Sequence, residues 1–351
     1  MKHKIALIGC GGMAHSHAQR FEPLFDRMEI TALVDLDIEH LKRVAELLPG
    51  KPLLTDRLEP ALETCDSVLL ALPHNLHKQY TIDCLNAGKH VLAEKPLGNS
   101  AEECRAMIRA ARANKRILMV AYCMRFHPLV VKLKELIENR TYGKCFQLSI
   151  WTEQHTERDP SSWICRKDQV GGGQLFSHGC HYIDLMLWMM GKPLYGTHVS
   201  TNLGTPWMER EGTSNVCIAF ENGALGYHFG TWGARGSRLR YAFHAHCEEG
   251  MLELDFYAGK LYLHSEMSKH IPGSEDITNS VVLMEAPGVK HTANELAHFF
   301  DCLETGAQPL TDPVSSLEGL EVIWRLYDAE EKRQLADLRG CGLGTIDPAT
   351  I

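Results

Sequence analysis

The segment Gly9-Cys10-Gly11-Gly12-Met13-Ala14 follows a short apolar run, Ile5 to Ile8, and opens a stretch with helical spacing, so it fits G-x-G-x-x-G/A at a strand-to-helix turn. Gly9 permits the tight turn, Gly11 lets backbone approach a pyrophosphate, and the small Ala14 lets helix pack on strand. The helix start at Gly12 and Met13 adds amide donors and the positive end of a dipole. A second run, Glu29–Val34, stops at Asp35, where a carboxylate can accept hydrogen bonds from both hydroxyls of a ribose and repel a 2′-phosphate. The pattern predicts a dinucleotide cradle formed by Gly9, Gly11, Gly12, Met13, Ala14 and Asp35, with NAD preferred over NADP; Asp37 is the competing acid.

The same alternation continues. Strands are predicted at Ile5–Ile8, Glu29–Val34, Ser67–Leu72, His90–Ala93 and Ile117–Ala121. Helices are predicted between them at Ala14–Phe25, Ile38–Leu48, Leu76–Ala87 and Ser100–Ala113, the last opened by a Ser100/Glu103 capping box. Repeated β-α units of this length give a parallel sheet covered on both faces. The pattern changes after Tyr122. Helices Pro128–Glu138 and Leu175–Met190 are followed by strand-like runs at Asn215–Phe220, Ala224–Trp232, Leu239–Cys247, Met251–Phe256 and Lys260–His264, joined by short turns as in an antiparallel meander. An earlier run, Phe146–Glu153, and helices over Glu295–Leu303 and Val314–Lys332 complete it. The expected class is α/β: a doubly wound parallel sheet over residues 1–121 and an α+β domain over 122–351.

Composition narrows the partners. Net charge is −8 with no basic run, which excludes nucleic acid and anionic membrane as first choices. No stretch approaches a membrane span, and the first apolar run is too short for a signal-peptide core. The 12 cysteines are scattered from Cys10 to Cys341 without a C-x-x-C, as expected of reduced thiols in a cytoplasmic protein. His178-x-x-His181 and His244-x-His246 could suggest metal ligands, but Glu248-Glu249-Gly250 reads as a hairpin turn, and no metal is predicted.

Three further segments resemble the Gfo/Idh/MocA oxidoreductases, relatives of glucose–fructose oxidoreductase and inositol dehydrogenase. They are Pro73-His74-Asn75-Leu76-His77, then Ala87 to Leu97 with its Glu94-Lys95-Pro96, then Gly171-Gly172-Gly173 leading into Gly179-Cys180-His181-Tyr182-Ile183-Asp184. His17, and Phe299 to Asp312 with Pro309-Leu310-Thr311, match as well, so the resemblance covers nearly the whole chain. It implies a Rossmann domain followed by a domain with a large open sheet, and hydride transfer between NAD and a carbinol or carbonyl of a sugar, cyclitol or sugar derivative. Pro73, Asn75, His77, Glu94 and Lys95 would lie along the cofactor.

Hydride transfer from an alcohol needs a proton acceptor and a donor for the developing alkoxide. Lys95, at the C-terminal end of a buried strand, suits the donor, and His181 suits the proton relay. Ser177 lies on the His181 face of the predicted helix, and Asp184 reads as a structural tie, or a group orienting His181. Many relatives carry Asp where Ser177 stands, so this chain lacks that carboxylate; His178, about 100° around the helix, is an imperfect substitute. Arg125, His155 and Trp163 come from segments that the resemblance places near the substrate cleft, where an indole can stack on a sugar face. Ile218, Phe220, Phe229 and Trp232 look apolar for a solvated sheet; the resemblance implies a dimer or tetramer formed through that sheet, which would bury them, and core packing within the chain explains them nearly as well. The rivals are a non-catalytic NAD(H) or sugar-binding regulator, and a hydrolase or lyase that oxidises a sugar transiently with bound NAD.

Overall fold

The computed structural model describes residues 2–266 and 278–351. Its first half is built from β1 (His3–Ile8), α1 (Gly12–Ala18), β2 (Met28–Val34), α2 (Ile38–Ala45), β3 (Leu53–Thr55), α3 (Leu58–Leu62), β4 (Ser67–Leu70), α4 (His77–Asn86), β5 (His90–Ala93), α5 (Ala101–Ala113) and β6 (Leu118–Val120). The strands form one parallel sheet in the order β3-β2-β1-β4-β5-β6. Side chains alternate between two cores, as strand geometry requires. Ile5 and Leu7 face a core with Ala14, Ala18, Leu41 and Val44. Ala6 and Ile8 face the other, with Leu62, Leu85 and Met107. Strand order reverses between β1 and β4, and open α/β sheets bind ligands outside such a reversal.

The second half contains α6 (Pro128–Glu138), β7 (Cys145–Glu153), α7 (Lys167–Val170), a π-helical turn (Leu175–Gly179) continuing as α8 (Cys180–Met190), strands β8 (Pro193–Thr201), β9 (Thr213–Phe220), β10 (Leu225–Thr231), β11 (Tyr241–Cys247), β12 (Gly250–Asp255), β13 (Lys260–Glu266) and β14 (Thr278–Glu285), helices α9 (Thr292–Thr305) and α10 (Pro313–Glu331), and the short β15 (Ala336–Asp337). Nine strands form a mixed sheet, β14-β13-β12-β11-β7-β10-β9-β8-β15. The expected meander holds from β9 to β10 and from β11 to β13, with β8 and β14 extending it, but β7 inserts between the two parts and runs parallel to β10. Helices cover one face: a Cβ at Gly226 would strike Met186 of α8, and one at Gly196 would approach Leu326 of α10.

Several expectations are corrected. The first helix ends at Ala18 and gives way to a 3₁₀ turn at Glu22–Leu24, because Pro23 has no amide to donate to the Gln19 carbonyl of a continuing helix. Strands β3, β8 and β14 were not expected; β3 has only three residues and β8 begins at a proline. Ile218 and Phe220 are 1% exposed and face the helices, and Trp232 packs with Cys165 and Met208, so these residues belong to cores within the chain. The open face instead carries Tyr195, Val199 and Leu225, with Phe229 half-buried beside them. The chain also returns to its first sheet. Leu296, Phe299 and Phe300 of α9 join the core of β1 and α1, and the Val120 amide donates to the Thr311 carbonyl at 2.9 Å.

Candidate active site

The site forms where the β1, β4 and β5 ends meet the π turn and α8. After β1, Gly9 has φ +85°, and a Cβ there would stand 2.5 Å from the Ala71 carbonyl oxygen, so both conformation and space demand glycine. Gly11 and Gly12 differ: a Cβ at either meets no protein atom within 4 Å, which leaves an open cradle at the α1 start. Gly11 caps that helix without a side-chain partner, and Met13 is half-buried while Ala14 is fully buried against the sheet. The Asp35 carboxylate accepts from the Cys10 amide at 2.6 Å and the Asp37 amide at 2.9 Å, which fixes it beside the turn. Asp37, the competing acid, caps α2 instead. These residues fit a dinucleotide with its phosphates at the cradle and a ribose at Asp35.

The β4 loop supplies Pro73 and an exposed Asn75. His77 is corrected here. It is fully buried, and its ring nitrogens lie 2.8 Å from the Pro96 carbonyl and 2.9 Å from the Leu72 carbonyl, so it braces the loop against the β5 end and does not line the cleft. Glu94 is also buried and meets His17 Nε2 at 2.7 Å. Burial pushes its carboxyl up, but His17, Lys95 and Lys290 outweigh this and hold it down at about 2. Lys95 follows, half-buried, and its Nζ donates to the Ser177 carbonyl at 2.9 Å. That bond joins the two halves of the molecule.

The expected helix from Leu175 begins as a π turn, a device frequent at functional sites, which changes the phase of Ser177 relative to His181. Glu211 and Tyr327 anchor it. The Glu211 carboxylate accepts from the Leu175 amide and the Tyr327 hydroxyl, and Tyr327 accepts from the Gly173 and Phe176 amides. A separate surface cavity of about 510 Å³ lies beyond this anchor, lined by Arg210, Glu211, Trp324 and Tyr327; neither Lys95 nor His181 borders it. His178 is tethered: its Nδ1 lies 3.4 Å from Gln174 Nε2, and its Nε2 lies 3.2 Å from the Tyr241 hydroxyl. His181 is 5% exposed, and its Nδ1 has no partner among the described residues. Burial, with Lys95, His178 and Lys290, drives its imidazole well below the usual value, so it is neutral. Burial raises the Cys180 thiol to about 11, which makes it an inert neighbour.

Arg125 is corrected as a substrate ligand. It is 3% exposed and forms a two-pronged pair with Asp184, Nε to Oδ2 at 2.7 Å and Nη2 to Oδ1 at 2.6 Å, while Nη1 donates to the Leu310 carbonyl. Asp184 is therefore the structural tie, and its carboxylate is spent on Arg125 rather than on orienting His181. Trp163 is half-buried, its ring edge-on to His74 at 4.7 Å, which brings it beside the β4 loop. His155 is exposed, with Trp207 as its aromatic neighbour at 6.4 Å. Sequence reasoning missed His74 and Lys290 as neighbours of the site. His74 sat in a quoted motif, but Lys290 stands in a loop with no motif.

The buried histidines make stability pH-dependent. Burial lowers His74, His77, His178 and His181, and brings His127 to about 4 and His228 to about 3. Unfolded, each binds a proton below about pH 6.5, whereas the folded chain does not. Their stabilisation is thus complete above that pH and is lost as pH falls toward the folded values. Calorimetry from pH 7 to 5 should show Tm falling, with unfolding taking up more than one proton near pH 5.5; a flat Tm would contradict this burial.

A parallel sheet with a glycine turn and an acid at its strand-order reversal has the geometry of a dinucleotide-binding Rossmann domain, here facing a lysine and a neutral histidine. The chain belongs to the Gfo/Idh/MocA family: residues 3–122 match its model, described as "Oxidoreductase family, NAD-binding Rossmann fold", and residues 130–253 match the model of the family's C-terminal domain. Inositol 2-dehydrogenase of Rhodococcus erythropolis is 32% identical over 143 residues, 40% of this chain and 41% of that protein. Myo-inositol 2-dehydrogenase of Thermotoga maritima is 29% identical over 231 residues, 64% of this chain and 66% of that protein. The matched stretches thus fall short of two thirds of these relatives. The solved structure of a levoglucosan dehydrogenase in complex with NADH and levoglucosan shares the fold, with TM-score 0.82, 22% identity, and coverage of 97% of this chain and 100% of that one.

Proposed function

We propose that the protein is an NAD-dependent dehydrogenase or reductase acting on a carbinol or carbonyl of a sugar, cyclitol or sugar derivative. One observation carries the proposal: the Lys95 ammonium, held 2.9 Å from the Ser177 carbonyl, shares a cleft with the neutral imidazole of His181. A bound nicotinamide supplies the hydride acceptor or donor at that cleft. Lys95 holds the reacting oxygen and stabilises negative charge on it. His181 takes or returns the hydroxyl proton. Ser177 offers a hydroxyl where no carboxylate is available, and the tethered His178 shapes the pocket wall. Trp163 and His155 are assigned to the substrate side.

NAD is preferred to NADP because Asp35 places a fixed negative charge where a 2′-phosphate would sit. The apolar residues of the open sheet face, Tyr195, Val199 and Leu225, favour pairing of two or four copies. No described helix is long and apolar enough to cross a membrane, and all 12 cysteines are free, which favours the cytoplasm.

The test is nicotinamide absorbance during incubation with NAD⁺ or NADP⁺ and a panel of sugars, cyclitols and sugar acids. NADH should form with at least one carbinol. Asp35→Ser should move the NAD/NADP preference toward NADP by about a hundredfold, since a like-charge contact costs several kcal/mol. A flat panel with NADH still bound would favour the regulator or the bound-cofactor hydrolase, and an unchanged preference would remove Asp35 from the ribose site.

A further inference from the structure

We propose that Cys145 and Cys247 form a redox-sensitive pair, which closes a disulfide across β7 and β11 when a hydroperoxide reaches it. The proposal goes beyond the dehydrogenase reading and does not depend on it. The two cysteines face each other in the register of the antiparallel β7–β11 ladder. Opposed Cα atoms in such a ladder lie about 4.5–5.5 Å apart, inside the span of about 4.4–6.8 Å that a disulfide bridges. Their side chains share a face because of a bulge. The register jumps from Gln147 opposite His246 to Cys145 opposite Cys247, and skips Phe146. Strict alternation from buried Leu148 would turn Phe146 inward and Cys145 outward. Instead Phe146 is 50% exposed, with its ring 6.2 Å from that of His246, and Cys145 is 6% exposed. The bulge thus re-aims Cys145 into the core that holds Cys247, Leu148 and Ala245. Beyond the pair the strands are pinned: the Glu248 amide donates to the Lys144 carbonyl at 3.2 Å, and the Glu248 carboxylate accepts from the Lys144 amide at 2.8 Å. Of the other cysteines, only Cys217 lies in a described strand, and it opposes Tyr227 and Thr197.

A small oxidant has a route to the pair. A cavity of about 260 Å³ between α6 and α8 is lined by Cys145, by Lys134 of α6 and by Trp188, Met189 and Met190 of α8. It lies on the helix-covered side of the sheet, away from the open face. The pairing also eases the chemistry. When one thiol ionises, the other S–H donates to the thiolate, which holds the first ionisation below the usual thiol value and makes the second harder. Burial without such a donor pushes Cys10 and Cys123 up to about 12. The thiolate sulfur attacks one oxygen of the peroxide, the O–O bond breaks, and hydroxide leaves and takes up the proton already released, which gives water and a sulfenic acid. The second sulfur attacks the sulfenic sulfur, the S–O bond breaks, and the leaving hydroxide takes the second thiol's proton as water. The pair loses two electrons, and hydrogen peroxide is reduced to two waters. A dithiol reverses the step by exchange.

The experiment treats the reduced, full-length protein with hydrogen peroxide, quenches it with an alkylating reagent and maps the unreduced peptides by mass spectrometry over time. The expected result is one intramolecular link between the Cys145 and Cys247 peptides, with two hydrogens lost. It should form at least about tenfold faster than any other cysteine is modified, and dithiothreitol should open it. In the urea-unfolded chain the preference should vanish, because strand register creates it; this comparison needs no variant. Cys145→Ser and Cys247→Ser should each abolish the link. Oxygen added to Met189 or Met190 before the pair closes, links among other cysteines formed as fast, or both thiols still free in the folded chain when the unfolded chain is oxidised would overturn the proposal. NADH formation plays no part in the readout, so failure of the dehydrogenase reading and failure of the redox pair are told apart.

Discussion

Lys95→Met is expected to lower kcat by about a thousandfold, with NADH affinity changed by no more than about tenfold. Methionine keeps most of the unbranched stem, so packing at the β5 end survives while the charge is lost. In the intact chain that ammonium is fixed from both ends. Its own backbone amide donates to Glu94, which His17 holds ionised, and its Nζ reaches the Ser177 carbonyl on the π turn. A donor positioned this way stabilises an alkoxide without reorganising at the moment of reaction, which makes the expected loss a loss of kcat rather than of substrate affinity. Removing the charge also relieves His181, whose imidazole Lys95 helps to keep neutral, so the acidic limb of the pH–rate profile should move to higher pH in the residual activity. Steady-state kinetics across pH, with NADH fluorescence titration alongside, separates these effects. Near-normal kcat in Lys95→Met would remove the residue from the chemistry.

Breaking the Arg125–Asp184 pair should have the largest effect on stability. Arg125→Met leaves the Asp184 carboxylate buried without a partner, and the expected cost is about 3–5 kcal/mol. For a chain of this size that is on the order of 10 °C in Tm. Burial pushes the Asp184 carboxyl up and the guanidinium opposes it, so the aspartate in Arg125→Met will take up a proton in the fold. The pair also carries function at one remove. It ties the 3₁₀ turn at Cys123–Phe126 to α8, one turn beyond His181, and to the Leu310 carbonyl before α10, while the guanidinium lies 5.2 Å from the Trp188 ring. Thermal denaturation of Arg125→Met and of Arg125→Met/Asp184→Leu checks this. The double variant should recover part of the loss, because it removes the unpaired charge together with its partner. Equal melting of Arg125→Met and the parent chain would show that the pair adds nothing.

How much of the site was legible in sequence depended on how local its signals were. The cradle was legible because a tight turn, a close approach and a helix start each require particular residues within six positions; Gly9 meets the first demand with its positive φ, and Gly11 leaves open the space the second needs. Glu94-Lys95-Pro96 and Gly179-Cys180-His181 were legible as segments of a family. Roles decided by packing were not. Arg125 and His77 carry polar groups suited to ligands, yet both are turned inward and spent on the scaffold. Lys290 had no motif, and only the return of the chain through α9 brings it to His181. Ile218 and Phe220 show the same limit, since alternation identifies two faces of a strand but not which one the helices cover.

The sequence by itself determined the β-α alternation, the dinucleotide turn with Asp35 and the lysine at the end of β5, because each rests on contacts among near neighbours. Tertiary structure alone decided that Lys95 reaches the Ser177 carbonyl, that burial leaves the facing histidines neutral, and that Asp184 serves Arg125. Those outcomes depend on desolvation and on partners tens to hundreds of residues apart, which no local pattern encodes.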